Sequence, residues 1–258
     1  MKKALVLIYG IIGYTLGSAA LVSLIAFLFN LMPANPLLPD LDAEASSTTA
    51  VAIGVNIGLM LLFALQHSIM ARPAFKQRLV RLLPEAAERS TFMLATAIVT
   101  FMIIVLWQPM PGVLWQADDA VLHTSLLAIG LGGWALVFYA TFLIDHFDLF
   151  GLRQVWLYCT GKSYTHLPFK LHSLYRYIRH PIMTGVFIGI WFTPVMTVGH
   201  LLFAIGMSAY ILIGVYHEEQ DLVGTFGERY RSYIRSTGKF LPQISNSTPN
   251  GDRAVNAR

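Results

Sequence analysis

The sequence predicts an all-α integral membrane protein with about five to six transmembrane helices, the last two forming a C-terminal helical hairpin. Three observations carry that prediction. Of 258 residues, 55% are hydrophobic and 12% are charged, against about 25% charged in an average soluble domain. The apolar residues gather into runs at 4–32, 50–71, 90–107, 121–144 and 182–215, none of which holds an Asp or Glu. Lys and Arg are confined to alternate connections between those runs.

Each run of about 20 apolar residues is long enough to cross a bilayer core of about 30 Å as a helix. The first follows Lys2 and Lys3 and resembles a signal peptide in that respect. It is too long for a signal core of about 7–15 residues, and its small-residue stretch "GSAA" lies inside it. We read it as a retained helix. The second, third and fourth runs are ordinary spans.

The 18 Lys and Arg residues fall at 2–3, 72–89, 153–179 and 229–258. The connections 33–49 and 108–120 hold neither, and carry Asp40, Asp42, Glu44, Asp118 and Asp119. This is the positive-inside pattern. It places both termini and the basic connections in the cytoplasm. The net charge of +4 is therefore a topology signal, and no nucleic-acid partner is expected.

The run 182–215 has basic sequence on both sides, so it must enter and return. One helix of that length would also measure about 51 Å. Two short helices near 17 residues each satisfy both constraints, with the turn at "TPVMTVGH", where Pro194 and Gly199 interrupt the pattern. Residues 72–89 predict an amphipathic link lying on the membrane, and 216–240 a helix leaving it. Residues 1–240 form one membrane domain, and the polar tail 241–258 is predicted to be disordered.

Three GxxxG pairs, Gly13/Gly17, Gly54/Gly58 and Gly185/Gly189, predict close helix packing. "GLGGWA" (130–135) fits a dinucleotide fingerprint by spelling alone. No strand precedes it and it lies within a membrane helix, so packing is the reading. The lone cysteine, Cys159, excludes an internal disulfide and a cysteine zinc site, and no metal is expected.

Ionisable groups cluster at the ends of the runs that face the cytoplasm. "LQHSIMARPAFK" contributes His67. "FLIDHFDLFGLRQ" contributes Asp145, His146, Asp148 and Arg153. "YRYIRHPIMTG" opens the hairpin with Tyr175, Arg179 and His180, and "VYHEEQDL" closes it with His217, Glu218 and Glu219. Charges are costly inside a membrane, so their convergence predicts a polar pocket at the inner edge. A short hairpin brings its two ends together, so Arg179 and His180 should meet Glu218 and Glu219. Paired carboxylates beside cations and tyrosines suit a ligand with a diol and a positive centre.

The segments "LYRYIRHPIMTG" and "HEEQDLVGTFGERYRSYIRSTGKFLP", with the hydrophobic hairpin between them, resemble the cofactor end of the isoprenylcysteine carboxyl methyltransferase superfamily. Those are integral membrane enzymes that use S-adenosylmethionine. Arg179, His180, Pro181, Gly185, Glu218, Glu219, Leu222, Phe226, Gly227, Tyr230 and Tyr233 match its pattern, while Met183 replaces the usual tyrosine. "LQHSIMARPAFK", "ERSTF" and "DHFDLFGLRQVWL" are similar to the methanethiol S-methyltransferases, a bacterial branch, and NnrU-like proteins share part of the pattern.

The resemblance implies a cytoplasmic cofactor pocket for S-adenosylmethionine. Tyr175, Arg179, His180, Pro181, Gly185, Glu218 and Glu219 would form it. It implies a bacterial inner-membrane enzyme that methylates a small thiol, methanethiol to dimethyl sulfide. A thiol is mostly protonated at neutral pH, so it needs a base or a favourable field. His146 and His67 are the candidate bases, with Asp145 or Asp148 orienting an imidazole and Arg153 favouring the thiolate. The alternatives are a methyltransferase for a prenylated or lipid thiol or carboxyl, and a haem-binding NnrU-like isomerase with His67, His146 and His217 as ligands.

Overall fold

The computed structural model describes residues 2–32, 40–165 and 173–243. Among the described residues, five helices are long and apolar enough to cross a membrane. They are α1 (Lys3–Leu28), α2 (Thr49–Ala71), α4 (Glu88–Leu106, extended by a turn from Glu85), α5 (Ala120–Ile144) and α9 (Val198–Phe226). The chain is a multi-pass membrane protein. Short helices α3 (Pro73–Leu79), α6 (His146–Leu149) and α7 (Leu152–Cys159) cap the end that carries the basic connections. Most of the tail, 244–258, lies outside the described residues.

The hairpin exists, but its arms are unequal. Helix α8 covers only Pro181–Trp191 and α9 runs for 29 residues. Eleven residues rise about 16 Å, half the apolar layer. Helix α8 stops because its terminal carbonyl at Ile190 accepts a bond from buried His200 Nε2 at 2.8 Å, and Pro194 cannot extend the ladder. The chain then continues extended into β2 (Val195–Thr197), which pairs antiparallel with β1 (Val113–Gln116). This pairing was not legible in the sequence. Helix α9, about 43 Å long, outruns the apolar layer and carries Glu218 and Glu219 beyond it.

The chain is also tied together at the end opposite the basic connections. Asp42 accepts from Asn30 Nδ2 at 2.7 Å and from the Thr197 hydroxyl. Asn56 exchanges two bonds with the Gln108 backbone, 2.8 and 2.9 Å. The main buried cluster, including Phe27, Leu28, Ile104, Trp107, Ile190 and Phe203, lies toward this end. At the basic end the buried cluster is small, built on Val6, Ala87 and Val155. Tight packing is thus concentrated away from the basic end, where the polar groups gather.

Two of the three glycine pairs pack as expected. A Cβ on Gly13 would meet the Ser90 carbonyl at 3.0 Å, and one on Gly17 would meet Met93 at 2.4 Å. Gly185 and Gly189 press against Gly133 and Trp134 of "GLGGWA". Gly54 and Gly58 do not follow the expectation, since among the described residues a Cβ there meets nothing within 4 Å. They sit on an exposed face of α2.

A Cβ on Gly133 would lie 2.6 Å from the Gly189 nitrogen and 2.7 Å from the Gly185 carbonyl oxygen. Backbone atoms cannot move aside cheaply. Gly133→Ala should lose about 1–3 kcal/mol through overpacking, while Gly54→Ala should gain roughly 0.5–1 kcal/mol from helix propensity. Thermal unfolding of the two variants in detergent checks both signs.

Candidate functional site

One polar cluster is assembled by three strands of chain at the basic end. The first is "YRYIRHP", which leads into α8. The second is the projecting part of α9. The third is the stretch after α10 (Glu228–Ser236), reached because Gly227 adopts φ +58° and reverses the chain. That stretch runs parallel to the first: Arg179 N donates to Gly238 O at 2.8 Å and His180 N to Lys239 O at 3.1 Å. Thr184 Oγ1 adds a bond to Phe240 O at 2.7 Å. Tyr230 and Tyr233 are buried on the inner face of α10. The Tyr233 hydroxyl donates to the Tyr175 carbonyl, and burial pushes its pKa up to about 12, so it remains a donor.

Glu219 is the hub of this cluster. Its Oε1 accepts from Arg179 Nε at 2.8 Å and from His180 Nε2 at 3.1 Å, and its Oε2 faces Lys239 Nζ at 3.2 Å. Arg179 also donates to the carbonyls of Ile234 and Thr237. Two buried side chains, a carboxylate and a guanidinium, are thus paired and hydrogen-bonded, which is what makes burying them tolerable. Glu218 differs. Its side chain is 53% exposed, and its neighbour in the cluster is His180 Nδ1, at 3.8 Å. Arg179 thus meets Glu219 and His180 meets both glutamates, with Glu219 saturated and Glu218 open.

Other predicted residues take different places. Pro181 starts α8, and Tyr175 contributes its carbonyl. Gly185 is turned toward α5, where a Cβ would lie 2.6 Å from the Gly133 carbonyl oxygen. It belongs to the helix contact one turn above the cluster. Tyr177 and Tyr216 are exposed, and Asp221 pairs at 3.0 Å with Arg72, the residue that follows α2.

His146 lies in a second cluster, at the start of α6 and 5% exposed. Phe142 and Phe150 stack on its two sides, with centroids at 4.2 and 4.6 Å. Its Nδ1 is 2.8 Å from Thr141 Oγ1 and its Nε2 is 3.0 Å from the Tyr14 hydroxyl. Thr141 and Tyr14 hold the imidazole, where Asp145 or Asp148 was expected. Asp145 instead caps α6 by accepting from Asp148 N at 2.9 Å, and Asp148 pairs with Arg153 at 2.8 Å. The reason is local: a carboxylate at an N-cap is taken up by the first free backbone donors. Burial lowers the His146 pKa, and the nearby Asp145 charge opposes this only in part. Arg153 is held firmly cationic, first by its bond to Asp148, and also bonds Thr165.

His67 occupies a separate aromatic setting, between Phe63, Phe92 and Tyr210. None of these touches the His146 ring set, so the two candidate bases stand in different environments. His217 is exposed beside Tyr216. Both ring nitrogens of His146 are hydrogen-bonded, so a metal ligand role would require displacing Thr141 or Tyr14. Among the described residues, no three His, Cys, Asp or Glu side chains converge as a metal site.

A cavity of about 930 Å³ opens at the basic end. Arg89, Asp148, Gln154, Tyr158, Lys162 and Tyr164 are among its walls. The stretches "ERSTF" and "DHFDLFGLRQVWL" thus meet around one space, although they lie some 60 residues apart. Arg89 Nε joins them by a bond to Leu149 O at 2.6 Å.

This geometry can be set beside known proteins. The family model for the NnrU protein matches residues 55–238. The chain belongs to the NnrU family. A methanethiol S-methyltransferase of Mycobacterium tuberculosis (strain ATCC 25618 / H37Rv) is 41% identical to this NnrU-family chain over 244 residues, 94% of the chain and 98% of that relative. One from Crocosphaera subtropica (strain ATCC 51142 / BH68) is 39% identical over 244 residues, 95% of this chain and 94% of its own. Nurim of Xenopus laevis is 30% identical over 178 residues, 66% of this chain and 62% of that protein. No solved structure matches. The NnrU match contains Arg179, His180, Glu218, Glu219 and His146.

Several site residues of this NnrU-family chain escaped sequence reasoning. Lys239 and the Gly238 backbone form the third wall of the Glu219 cluster. The only available signal was a Gly-Lys pair after a helix, which is common. Tyr14 and Thr141 were hidden in apolar helices, where a hydroxyl reads as one more tolerated residue.

Glu219→Ala should destabilise the protein by about 3–5 kcal/mol, because it leaves the buried Arg179 charge uncompensated. Glu218→Ala should leave thermal unfolding nearly unchanged. A second expectation concerns pH. Because burial lowers the His146 pKa, the unfolded chain takes up that proton first as pH falls. Stability should therefore decline below about 6.5, the ordinary histidine value, until the folded imidazole also protonates. His146→Gln should flatten that part of the unfolding profile.

Proposed function

We propose that this protein is an S-adenosylmethionine-dependent methanethiol S-methyltransferase of the bacterial inner membrane, with both termini in the cytoplasm. The observation that carries the reading is the Arg179–His180–Glu218–Glu219 cluster, in a chain about 40% identical to methanethiol S-methyltransferases over nearly its whole length. The distribution of Lys and Arg supports the orientation.

The residues present fit the methyl donor. Glu218, half exposed and 3.8 Å from His180 Nδ1, offers a carboxylate suited to the two hydroxyls of a ribose. Exposed Tyr177 and Tyr216 offer aromatic faces to a sulfonium. Glu219 has no comparable spare capacity, so its part is to hold Arg179, His180 and Lys239 in place. When bound, S-adenosylmethionine supplies a methyl group on a positively charged sulfur.

The chain's own contribution is to hold two reactants and to manage one proton. Orientation of the reacting atoms alone can supply much of the rate. His146 is neutral at pH 7 and can accept a proton. The small size and apolarity of methanethiol suit a site built among membrane helices.

Headspace gas chromatography of the purified protein with S-adenosylmethionine and methanethiol should show dimethyl sulfide. Absence of that product, with methylation of a prenylated thiol instead, would overturn the acceptor. Glu218→Gln should weaken S-adenosylmethionine binding about 10- to 100-fold in calorimetry, the range for losing hydrogen bonds to a charged group.

A further inference from the structure

The hydrogen bonds around His146 determine which nitrogen carries its proton. A threonine hydroxyl has one hydrogen to donate. Thr141 Oγ1 lies 2.7 Å from the Phe138 carbonyl oxygen, which can only accept. The Thr141 hydrogen is therefore used there. Its contact with His146 Nδ1 at 2.8 Å must then run the other way, with Nδ1–H donating to Thr141. Nε2 is left bare and accepts from the Tyr14 hydroxyl at 3.0 Å. The Tyr14 oxygen keeps its lone pairs for a further donor.

A route to that oxygen is built into α1. Leu7, Ile11 and Tyr14 are spaced i, i+4 and i+7, so they share one helix face. Leu7 and Ile11 line a mainly apolar groove of about 470 Å³ together with Phe147 and Trp156, and Asp145 and Arg153 also line it. Phe147 is common to groove and cluster, since its ring packs on both Tyr14 and His146. A small apolar solute dissolved in the bilayer finds there a path toward a polar end.

The depth also agrees with the donor site. Gly133 of α5 faces Gly189 of α8, and Val137 faces Gly185. One more turn of this antiparallel register sets Thr141 beside Pro181. His146, held by Thr141, and His180, next to Pro181, are thus at the same level of the bundle.

We propose that Tyr14 and His146 form a proton relay for the thiol acceptor, Tyr14 taking the thiol proton while passing its own to His146 Nε2. This rests on the reading that the protein methylates a small thiol. The S–H bond breaks and an O–H bond forms at Tyr14. The former Tyr14 O–H bond breaks and an N–H bond forms at Nε2. Sulfur keeps the electron pair as a thiolate, and the imidazole becomes an imidazolium. The faces of Phe142 and Phe150 stabilise that cation, as do Asp145 nearby and the Nδ1–H bond to Thr141. Tyr14 lies outside residues 55–238, so the relay is completed by a helix beyond the stretch matched by the family model.

The test exploits acceptor acidity. Methaneselenol is far more acidic than methanethiol and is ionised at neutral pH, so it needs no relay. Wild type and Tyr14→Phe, as full chains, are assayed with each acceptor and S-adenosylmethionine. Tyr14→Phe should lower kcat/KM for methanethiol about 100-fold or more, the scale of general base catalysis. Its rate with methaneselenol should stay close to that of the wild type. His146→Gln should show the same split, and serves as the test if Tyr14→Phe does not fold. Equal losses on both acceptors, at unchanged melting temperature, would overturn the relay, as would full activity on methanethiol. A wild type inactive on both acceptors would instead sink the thiol methyltransferase reading, and the relay with it.

Discussion

Gly133 lies against the backbone of Gly185 and Gly189, and nothing larger than hydrogen fits between them. This contact sets the depth at which α8 begins. Because α8 begins there, Arg179 and His180 stand at the basic edge rather than within the apolar layer. The same contact fixes the inner end of α5, and with it Thr141 and His146. In a bilayer the hydrophobic effect cannot press helices together, since lipid tails are as apolar as side chains. Close backbone packing has to do that work, and here it positions both polar clusters at once.

The two glutamates of "HEEQDL" show how one helix turn divides scaffold from site. Glu219 points inward and is saturated by Arg179, His180 and Lys239. Glu218 points outward and stays open. Consecutive residues on a helix diverge by about 100°, so identical side chains meet opposite fates. The projecting length of α9 makes this possible, because it carries both carboxylates clear of the apolar layer before the chain turns at Gly227.

The second cluster follows a different logic. A buried histidine is held by two hydroxyls and four aromatic rings, with its nearest carboxylate, Asp145, committed to a helix cap. Charges at that position would have been costly to bury, whereas neutral hydroxyls fix a tautomer without an uncompensated charge. The expectation of a carboxylate partner came from adjacency in sequence. Adjacency does not decide who bonds a side chain when free backbone donors lie closer.

The sequence by itself determined the membrane class, the first four spans, the return of the last segment and the meeting of "RH" with "EE". All of these follow from hydropathy, charge asymmetry and chain length, which are local quantities. Tertiary structure alone decided that the hairpin arms are unequal and that 113–116 pairs with 195–197. It also decided that Lys239 joins the glutamate cluster, that Gly54 and Gly58 pack on nothing among the described residues, and that Tyr14 meets His146 across 132 residues. Those outcomes depend on which faces touch, and a face is defined only once two helices have chosen their register.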